Sequence, residues 1–267
     1  MADAPDVSVC VVAWNAAGHL TACLDALPAA FGTRSHEVLV VDNGSTDETA
    51  TVLRERPHVV VLRNPVNLGI TPARNQALDR ARGRVILMLD ADTVPLPGSV
   101  DRLVGYLDEH PEVGVVGARL LDPDGTVQLS CRRRPPLLLP LLRRAPLDRV
   151  FEHRRTVNRH LMREFDHASA RPVDWLMGAC QGFRAELPAR IGRYDERIFS
   201  HGGEDCDWCL RAWAAGLEVH YVPAAEVVHA YQHFTRSNPM SKQSLRAITD
   251  FAYMWAKHRL AAAGRTA

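Results

Sequence analysis

Two acidic residues follow an apolar run in the first half of the chain. Asp90 and Asp92 come directly after Val85–Leu89 (VILML), which has the continuous apolar pattern of a strand buried on both faces. Two carboxylates this close together can share one hard divalent cation and leave coordination positions open for a diphosphate. Because Asp also favours turns, an acidic loop without a ligand is the alternative. His229, which follows the strand-like run Glu226–Val228, is a further candidate metal ligand, with a structural histidine as the alternative.

A second acidic pair, Glu204 and Asp205, opens a segment with helical periodicity that is stopped by Gly216. Gly202 and Gly203 precede the pair, and glycines allow a substrate to approach the carboxylates closely. A carboxylate in this place is a candidate general base. The alternative is that the two acids only complement the positive end of the helix dipole.

Cys206 and Cys209 lie in the same segment with the spacing of a redox or zinc half-site. No second C-x-x-C pair accompanies them, and with Leu210 and Trp213 they form an apolar stripe at helical spacing. We therefore interpret both cysteines as core residues. The same geometry predicts that Asp205 points away from this stripe.

Strand-like runs alternate with helical segments through residue 116, which predicts βαβ units and a mostly parallel sheet of the α/β class. Ligands of such sheets bind outside the carboxyl ends of the strands, where Asn15, Asp42 and Asp90 fall. The predicted strands of this half are Val7–Val12, Glu37–Val41, Val59–Leu62, Val85–Leu89 and Val113–Val116.

Helix signals separate these strands. Ser45 and Glu48 have the spacing of a capping box, which predicts a helix after the second strand. Thr71 followed by Pro72 predicts the N-cap and first residue of a helix that ends near Arg82. Two more helices are predicted, one with Leu20, Cys23, Leu24 and Leu27 on one face and one between Pro97 and Pro111.

The pattern changes beyond residue 116. Leu120–Val127 contains a turn signal and predicts a hairpin. Residues 131–171 carry 11 Arg and 4 acidic residues, a net charge of +7, which leaves −6 for the rest of the chain. A compact apolar stretch follows at Val173–Phe183, strands are predicted at Glu218–Val222 and Glu226–Val228, and the C-terminal residues are predicted to be helical.

Composition excludes several classes of protein. The 267 residues are 46% hydrophobic and 24% charged, as in ordinary globular proteins, and no apolar run is long enough to span a bilayer. A net charge of +1 gives no field that would attract nucleic acid. No G-x-G-x-x-G follows a strand, and no P-loop or G-x-S-x-G motif occurs, which argues against dehydrogenases, P-loop NTPases and α/β-hydrolases. The N-terminal residues predict no signal peptide, and the six Cys are expected to be reduced thiols.

Taken together, these elements resemble the nucleotide-sugar glycosyltransferases of family 2, with the GT-A fold. The resemblance covers nearly the whole chain except residues 131–171, and it is most similar to the bacterial rhamnosyltransferase branch at Val173–Cys180, Tyr194–Phe199 and Glu204–Trp208. The remaining motifs occur in the family's order: Val9–Asn15 (VCVVAWN), Val40–Asp47 (VVDNGSTD), Asn67–Gly69 (NLG), Ala73–Asn75 (ARN), Leu89–Thr93 (LDADT) and Gly203–Asp205 (GED), with His229 beyond.

The resemblance implies roles for these residues. Asp42 would contact the pyrimidine base and Arg74 the base or the diphosphate. Where the family often has Tyr or Phe in the first loop, this chain has Trp14, whose ring can still stack on a base. Asp205, with Glu204 beside it, would form the catalytic base. The donor site would further include Asn15, Asp90 and Ala91, and Asp90, Asp92 and His229 would hold Mg²⁺ or Mn²⁺.

The resemblance also implies the fold and the reaction. A Rossmann-like, mostly parallel sheet flanked by helices would carry the nucleotide sugar in residues 1–116. Residues 117–267 would form a smaller acceptor half in the same continuous domain. The expected activity is inverting, metal-dependent transfer of a sugar, first of all L-rhamnose from its dTDP derivative, in cell-surface glycan or glycolipid synthesis.

Alternatives stay open at this level. They are a UDP-hexose or UDP-N-acetylhexosamine donor, or a catalytically silent nucleotide-sugar-binding protein. The expected acceptor is a glycan or a lipid-linked sugar, with no nucleic acid partner. The location is expected to be cytoplasmic, with the basic segment 131–171 either at the membrane surface or forming a solvated loop.

Overall fold

The computed structural model describes residues 4–136, 154–199, 203–230 and 242–263. In chain order the strands of these residues are β1 (Val7–Ala13), β2 (His36–Asp42), β3 (Val60–Arg63), β4 (Val85–Asp90), β5 (Thr93–Pro95), β6 (Val113–Leu121), β7 (Cys131–Arg132), β8 (Arg171–Pro172), β9 (Trp175–Leu176), β10 (Cys180–Arg184) and β11 (Glu218–His229). β7 and β9 form a short antiparallel ribbon, and the other described strands belong to one nine-stranded sheet.

Helices cover both faces of this sheet. In chain order they are α1 (Ala17–Ala30), α2 (Thr49–Arg54), α3 (Ile70–Arg80), α4 (Ser99–Glu109), α5 (Arg155–His160), α6 (Leu187–Ile191), α7 (Gly203–Ala214) and α8 (Lys242–Ala263). The helices α1, α2 and α4 pack on one face of the sheet, and α3, α6, α7 and α8 pack on the other.

The central strands are buried on both faces, as their continuous apolar sequences predict. Along β4, Leu87 and Leu89 enter the core under α1 and α4, whereas Ile86 and Met88 enter the core under α3 and α7. All four side chains are almost completely buried. The sheet therefore separates two hydrophobic cores, and its strands are the most protected part of the fold.

The sheet is α/β in class, as predicted, and its strand directions are mixed. The order is β3-β2-β1-β4-β10-β6-β11-β5, with β8 paired to β11. β1 pairs in parallel with β2 and β4, and β2 with β3, so the first four predicted strands have the predicted parallel arrangement, whereas the fifth, in β6, is separated from them by β10. β10 then runs antiparallel between β4 and β6. β6 spans Val113–Leu121, so the expected boundary between the nucleotide-sugar half (1–116) and the acceptor half (117–267) falls inside a strand. The division into these two halves stays a prediction.

Two predicted helix caps are wrong. α2 begins at Thr49, and Ser45 accepts a hydrogen bond from the Asn15 N–H instead of opening the helix. α3 begins at Ile70 after Gly69, whose φ of 93° turns the chain into the helix. Thr71 therefore lies inside α3, and its hydroxyl donates to the Ile198 carbonyl. In both cases the predicted capping side chain is used by a loop that is distant in sequence.

The second half keeps several of its predicted elements. Leu121 and Val127 form the antiparallel bridge of a small turn. The apolar stretch Val173–Phe183 divides into β9 and β10, and the two strand-like runs near the end join into the single long strand β11. The C-terminal residues form the helix α8, as predicted, and its Met254 and His258 are buried.

Candidate active site

The three predicted metal ligands lie together at one edge of the sheet. Asp90 is the last residue of β4, and Asp92 immediately precedes β5. β5 pairs antiparallel with β11, and this register sets Thr93 opposite His229. One ligand atom from each of Asp90, Asp92 and His229 lies within 4.8 Å of the others. Sheet pairing, and not proximity in sequence, brings the histidine to the two carboxylates.

This donor set fits Mg²⁺ or Mn²⁺. Two carboxylates and an imidazole suit these ions, which prefer oxygen ligands and accept nitrogen. His229 Nε2 lies 3.6 Å from Asp92 Oδ1. Burial and the neighbouring Asp90 charge raise the pKa of the Asp92 carboxyl, against the opposing effect of His229. Two like charges this close are more stable with a cation between them.

Gln128 sets the orientation of the His229 ring. The Gln128 Nε2 group donates to the His229 carbonyl and to Asp122 Oδ1, both at 2.7 Å. Gln128 Oε1 therefore faces His229 Nδ1, at 2.9 Å, and an amide oxygen can only accept. A proton consequently lies on Nδ1, which leaves Nε2, on the side of Asp92, as the ring nitrogen that can bind a metal. A metal-binding histidine needs this tautomer.

The acidic pair at the start of α7 lies next to this cluster. Glu204 and Asp205 are both buried in the first turn of the helix. The Asp205 Oδ2 atom accepts a hydrogen bond of 2.6 Å from the Gly178 N–H, in the turn between β9 and β10. A side chain at Gly178 would lie 2.8 Å from the Arg74 guanidinium and 3.2 Å from Asp205 Cβ. A larger residue here would require the Arg74 guanidinium to move.

Arg74 connects the two acidic groups. Its guanidinium is buried in α3 and contacts Glu204 Oε1 at 3.2 Å, Asp90 Oδ1 at 3.1 Å and the Gly178 carbonyl at 3.2 Å. It also lies 5.6 Å from the centre of the Tyr194 ring. The Arg74 guanidinium thus bridges the candidate metal cluster and the acidic pair of α7.

The Asp205 carboxyl has the perturbed pKa expected of a general base. Burial, followed by the Glu204 charge, raises its pKa from 3.8 to about 7, against the opposing effects of Arg74 and the Gly178 N–H. A base with a pKa near neutrality takes up a proton effectively and is largely ionised at slightly higher pH. Its burial also confirms that it is not part of an exposed acidic surface.

Trp14 and Asn15 form the loop after β1. The Asn15 backbone has a φ of 49°, and its N–H donates to the Ser45 hydroxyl at 3.0 Å. The Asn15 side-chain oxygen accepts from the Thr46 N–H at 2.8 Å. These bonds join the loops that follow β1 and β2. Trp14 is 55% exposed, so its ring is available for stacking.

Asp42 ends β2 and is 1% exposed. Its Oδ1 atom accepts from the Ser45 N–H at 3.0 Å, and Arg63 Nε lies 3.4 Å from its Oδ2 atom. Among the described residues, no group makes a hydrogen bond to Oδ2. Ala91, between the two cluster carboxylates, is buried and offers only its backbone to a ligand.

The interpretation of the two cysteines as core residues is confirmed. Cys206 and Cys209 are buried free thiols on the apolar side of α7. Trp213 lies at the edge of this stripe, where its indole N–H donates to the Val173 carbonyl. Burial raises the pKa of both thiols. No further cysteine joins them as a metal ligand among the described residues.

Several predicted features lie partly or wholly outside the described residues. Of the basic segment 131–171, the structure describes 131–136 and 154–171, so Leu137–Leu142 is not covered. Gly202 lies outside as well. Among the described residues, no helix is both long enough and apolar enough to cross a bilayer.

Sequence reasoning missed two residues that shape the site, Gln128 and Gly178. Gln128 has no recognisable motif around it, because its role depends on the return of β11 to the same edge. Gly178 lies in a stretch that the resemblance covers, and a glycine between two strand-like runs is a signal of close backbone approach. Asn75 and Thr71 also have roles that motifs alone do not give, since both bind the 194–198 loop before α7.

The fold and site together define a glycosyltransferase of the GT-A fold. A solved structure of GalNAc-T7 with UDP, GalNAc and Mn²⁺ superposes with a TM-score of 0.62 at 18% identity, covering 86% of this chain and 45% of that one. The mannosyltransferase PcManGT from Pyrobaculum calidifontis, in complex with GDP-Man and Mn²⁺, superposes with a TM-score of 0.59 at 21% identity. The match covers 97% of this chain and 72% of that one. At these identities the likeness concerns the fold.

Sequence comparison gives the family. The model of glycosyl transferase family 2 matches residues 8–185, and that of glycosyl transferase family group 2 matches residues 136–259. The chain is 30% identical over 270 residues to the N-acetylglucosaminyl-diphospho-decaprenol L-rhamnosyltransferase of Mycobacterium tuberculosis, covering 94% of this chain and 84% of that protein. The chain belongs to glycosyl transferase family 2.

Proposed function

We propose that this chain transfers L-rhamnose from dTDP-L-rhamnose to a hydroxyl of a lipid-diphosphate-linked sugar, with inversion at the anomeric carbon. The observation that supports the proposal is the junction at Arg74, whose guanidinium contacts Asp90 of the candidate metal cluster and Glu204, the neighbour of the base candidate Asp205. The mycobacterial relative, whose name specifies both rhamnosyl transfer and a diphospho-decaprenol acceptor, supports the choice of sugar and acceptor.

At the donor end, Asp90, Asp92 and His229 would hold Mg²⁺ or Mn²⁺. A bound cation at this place supplies positive charge against the diphosphate that leaves. The resemblance assigned Arg74 to the base or diphosphate. Because its guanidinium contacts Asp90, Glu204 and a backbone carbonyl, we propose that it acts by positioning the two carboxylates.

The nucleoside end of the donor would lie between the loops that follow β1 and β2. The buried Asp42 Oδ2 atom lacks a hydrogen bond among the described residues, and the imide N–H of a pyrimidine would satisfy it. The exposed Trp14 ring would stack on the base. Thymine and uracil both carry this imide, so these contacts accept either nucleotide.

At the acceptor end, Asp205 would remove the proton from the attacking hydroxyl. An inverting transfer needs one base on the acceptor side and charge stabilisation on the opposite side of the anomeric carbon. The Gly178 N–H fixes the Asp205 carboxylate, and the like charge of Glu204 keeps its proton affinity high. Both effects favour proton transfer near neutral pH.

A panel of nucleotide sugars tests the donor. Thermal unfolding is followed with dTDP-L-rhamnose, UDP-glucose and UDP-N-acetylglucosamine, each with Mn²⁺ or with EDTA, because a ligand of the folded state raises the melting temperature. A shift with dTDP-L-rhamnose that requires Mn²⁺ is expected. A larger shift with a UDP sugar would favour the hexose or N-acetylhexosamine alternative. Binding without turnover on a lipid-linked acceptor would favour the silent nucleotide-sugar-binding protein.

The cation cluster is tested by the Asp92→Asn variant, which keeps the size of the side chain and removes its charge. Calorimetric affinity for dTDP in the presence of Mn²⁺ should fall by about tenfold or more, since a charged ligand is lost. Asp79→Asn, an exposed acid on α3, is the matched control and should bind as the wild type does. Equal Mn²⁺-dependent affinity in all three proteins would remove this cluster from the proposal. A cytoplasmic location with peripheral membrane contact through residues 131–171 remains part of the same proposal.

A further inference from the structure

A cavity of about 250 Å³ lies beside α7, away from the nucleotide loops. Its apolar wall is formed by Leu210 of α7 and by Met254 and Trp255 of α8. Arg134 and Arg259 also line it. The cavity therefore combines an apolar surface with positive charge, and the donor and base roles proposed above use none of these residues.

The two arginines are not neutralised. Arg134 and Arg259 are both exposed, and neither forms a salt bridge with a carboxylate among the described residues. Arg259 lies with its guanidinium 4.1 Å from the centre of the Trp255 ring. Asp174 binds the backbone N–H of Arg134 at 2.6 Å, which anchors the main chain and leaves the side chain outside that contact. Guanidinium groups without a carboxylate partner can form charge-assisted hydrogen bonds with phosphates.

Negative charge near the cavity is already balanced. His258, which also lines the cavity, contacts Asp207 at 2.9 Å. Asp207 in addition pairs with Lys257 at 2.8 Å and with Arg211 at 2.8 Å. This carboxylate is therefore surrounded by cationic groups, and the cavity keeps a net positive character that complements an anion.

The cavity and the base candidate share α7. Leu210 is five residues after Asp205, which corresponds to a rise of about 7.5 Å along the helix axis and to a different side of the helix. The Arg134 charge also acts on Cys206: burial raises the pKa of this thiol, and Arg134 is among the groups that oppose the increase. β7, which ends two residues before Arg134, pairs with β9, which directly precedes the turn that holds Gly178. The lining residue Arg134 and the Gly178 turn, which binds Asp205, therefore follow the two strands of one ribbon.

We propose that this cavity binds the diphosphate and the first part of the prenyl chain of the acceptor. The inference rests on the proposed function, and it gives the acceptor a defined place. With the acceptor hydroxyl at Asp205, the anomeric diphosphate lies one sugar unit away, in the direction of Arg134 and Arg259. Met254, Trp255 and Leu210 would contact the start of the chain. The volume is below the roughly 300–1,000 Å³ of sites that enclose a whole ligand, so the rest of the chain would extend outside.

Farnesyl diphosphate tests this site as a short, soluble probe. Binding to the full chain is measured by calorimetry in EDTA and without nucleotide, so that the cation cluster cannot take the diphosphate. The wild type should bind it more tightly than inorganic pyrophosphate, because only the former fills the apolar part. The double variant Arg134→Gln, Arg259→Gln should lose about tenfold or more in affinity, as expected for charge-assisted bonds. Arg80→Gln, an exposed arginine on α3, is the matched control and should bind normally.

Trp255→Ala separates the two parts of the site. This substitution should weaken the binding of farnesyl diphosphate and leave the binding of pyrophosphate unchanged. Equal binding of both probes by the wild type, or unchanged binding by the double variant, would overturn the proposal. Sedimentation with anionic vesicles that depends on Arg134 and Arg259, without binding of farnesyl diphosphate, would also overturn it, because the partner would then be a bilayer surface.

Failure of this proposal is distinguishable from failure of the proposed function. Thermal shifts with dTDP-L-rhamnose and Mn²⁺ are measured on the same double variant and should equal those of the wild type. Normal donor binding together with lost probe binding supports the assignment of the cavity. If the wild type binds the probe and no nucleotide sugar, the proposed function fails and the cavity remains a prenyl diphosphate site.

Discussion

Replacing Asp205 by Asn should change how stability depends on pH, as well as abolish most of the activity. The native Asp205 carboxyl has a pKa of about 7, whereas the same group in the unfolded chain has a pKa near 3.8. A group whose pKa is raised by folding stabilises the native state at low pH, and this contribution is lost as pH rises through the native pKa. At pH 5, two units below the native value, the contribution is about 3 kcal/mol, and at pH 9 it is close to zero.

The Asn variant has no carboxyl at this place and therefore lacks that dependence. Between pH 5 and pH 9, its free energy of unfolding should therefore rise by about 3 kcal/mol relative to that of the wild type, because only the wild type loses stability over this range. Any constant cost of the substitution, such as an altered bond to the Gly178 N–H, cancels in this difference. Urea unfolding followed by tryptophan fluorescence measures it, since Trp208 is completely buried.

Glu37→Gln is the matched control. Hydrogen bonds from Ser8 and Arg82 lower the pKa of Glu37 in spite of its partial burial, so this carboxyl is ionised in both states from pH 5 to pH 9. Its variant should show the same difference from the wild type at both pH values. If Asp205→Asn behaves like this control, the buried carboxyl is ionised throughout and the account of its pKa is wrong.

The same variant tests the chemistry. With a verified acceptor, Asp205→Asn should lower turnover by about 10²–10⁴-fold and leave donor affinity unchanged. The wild-type rate should fall as pH drops below about 7, because the protonated carboxyl cannot accept the hydroxyl proton. A wild-type rate in the variant would place the base elsewhere.

Three further substitutions probe contacts that hold the site. Gly178→Ala puts a methyl group 2.8 Å from the Arg74 guanidinium, so the urea midpoint should fall by the equivalent of about 1–3 kcal/mol; an unchanged midpoint would mean that Arg74 moves freely. Gln128→Leu removes the acceptor for His229 Nδ1 and should weaken calorimetric Mn²⁺ binding by about 10–100-fold, with Gln128→Glu retaining it; equal weakening in both would refute the tautomer role. Gly44→Ala adds a Cβ to a residue with a φ of 77° and against the main chain of the next loop, so its unfolding free energy should fall by more than about 1 kcal/mol, and a stable variant would contradict this backbone geometry.

The sequence predicted the parallel half of the sheet because the relevant signals are local. Val85–Leu89 is apolar at every position, and a strand with helices on both faces requires this pattern. The stripe of Cys206, Cys209 and Leu210 predicted the buried face of α7 for a similar reason, since helical periodicity is visible within two turns. Local patterns were less successful at helix ends, where Ser45 and Thr71 bind distant loops instead of their own helices.

The amino-acid sequence by itself determined which side chains could do chemistry: the acids at the end of β4, the acids that open α7 and the histidine at the end of β11. Residue type and neighbouring pattern are enough to name these candidates, although acids at strand and helix ends also serve in turns and complement helix dipoles. Only the tertiary structure decided how they work together. The antiparallel pairing of β5 and β11 brings His229 to Asp92, and the passage of β10 between β4 and β6 brings the Gly178 turn to Asp205. The pKa of Asp205 and the tautomer of His229 follow from burial and from partners that are up to 131 residues away in the chain, such as Arg74, and no local pattern contains them.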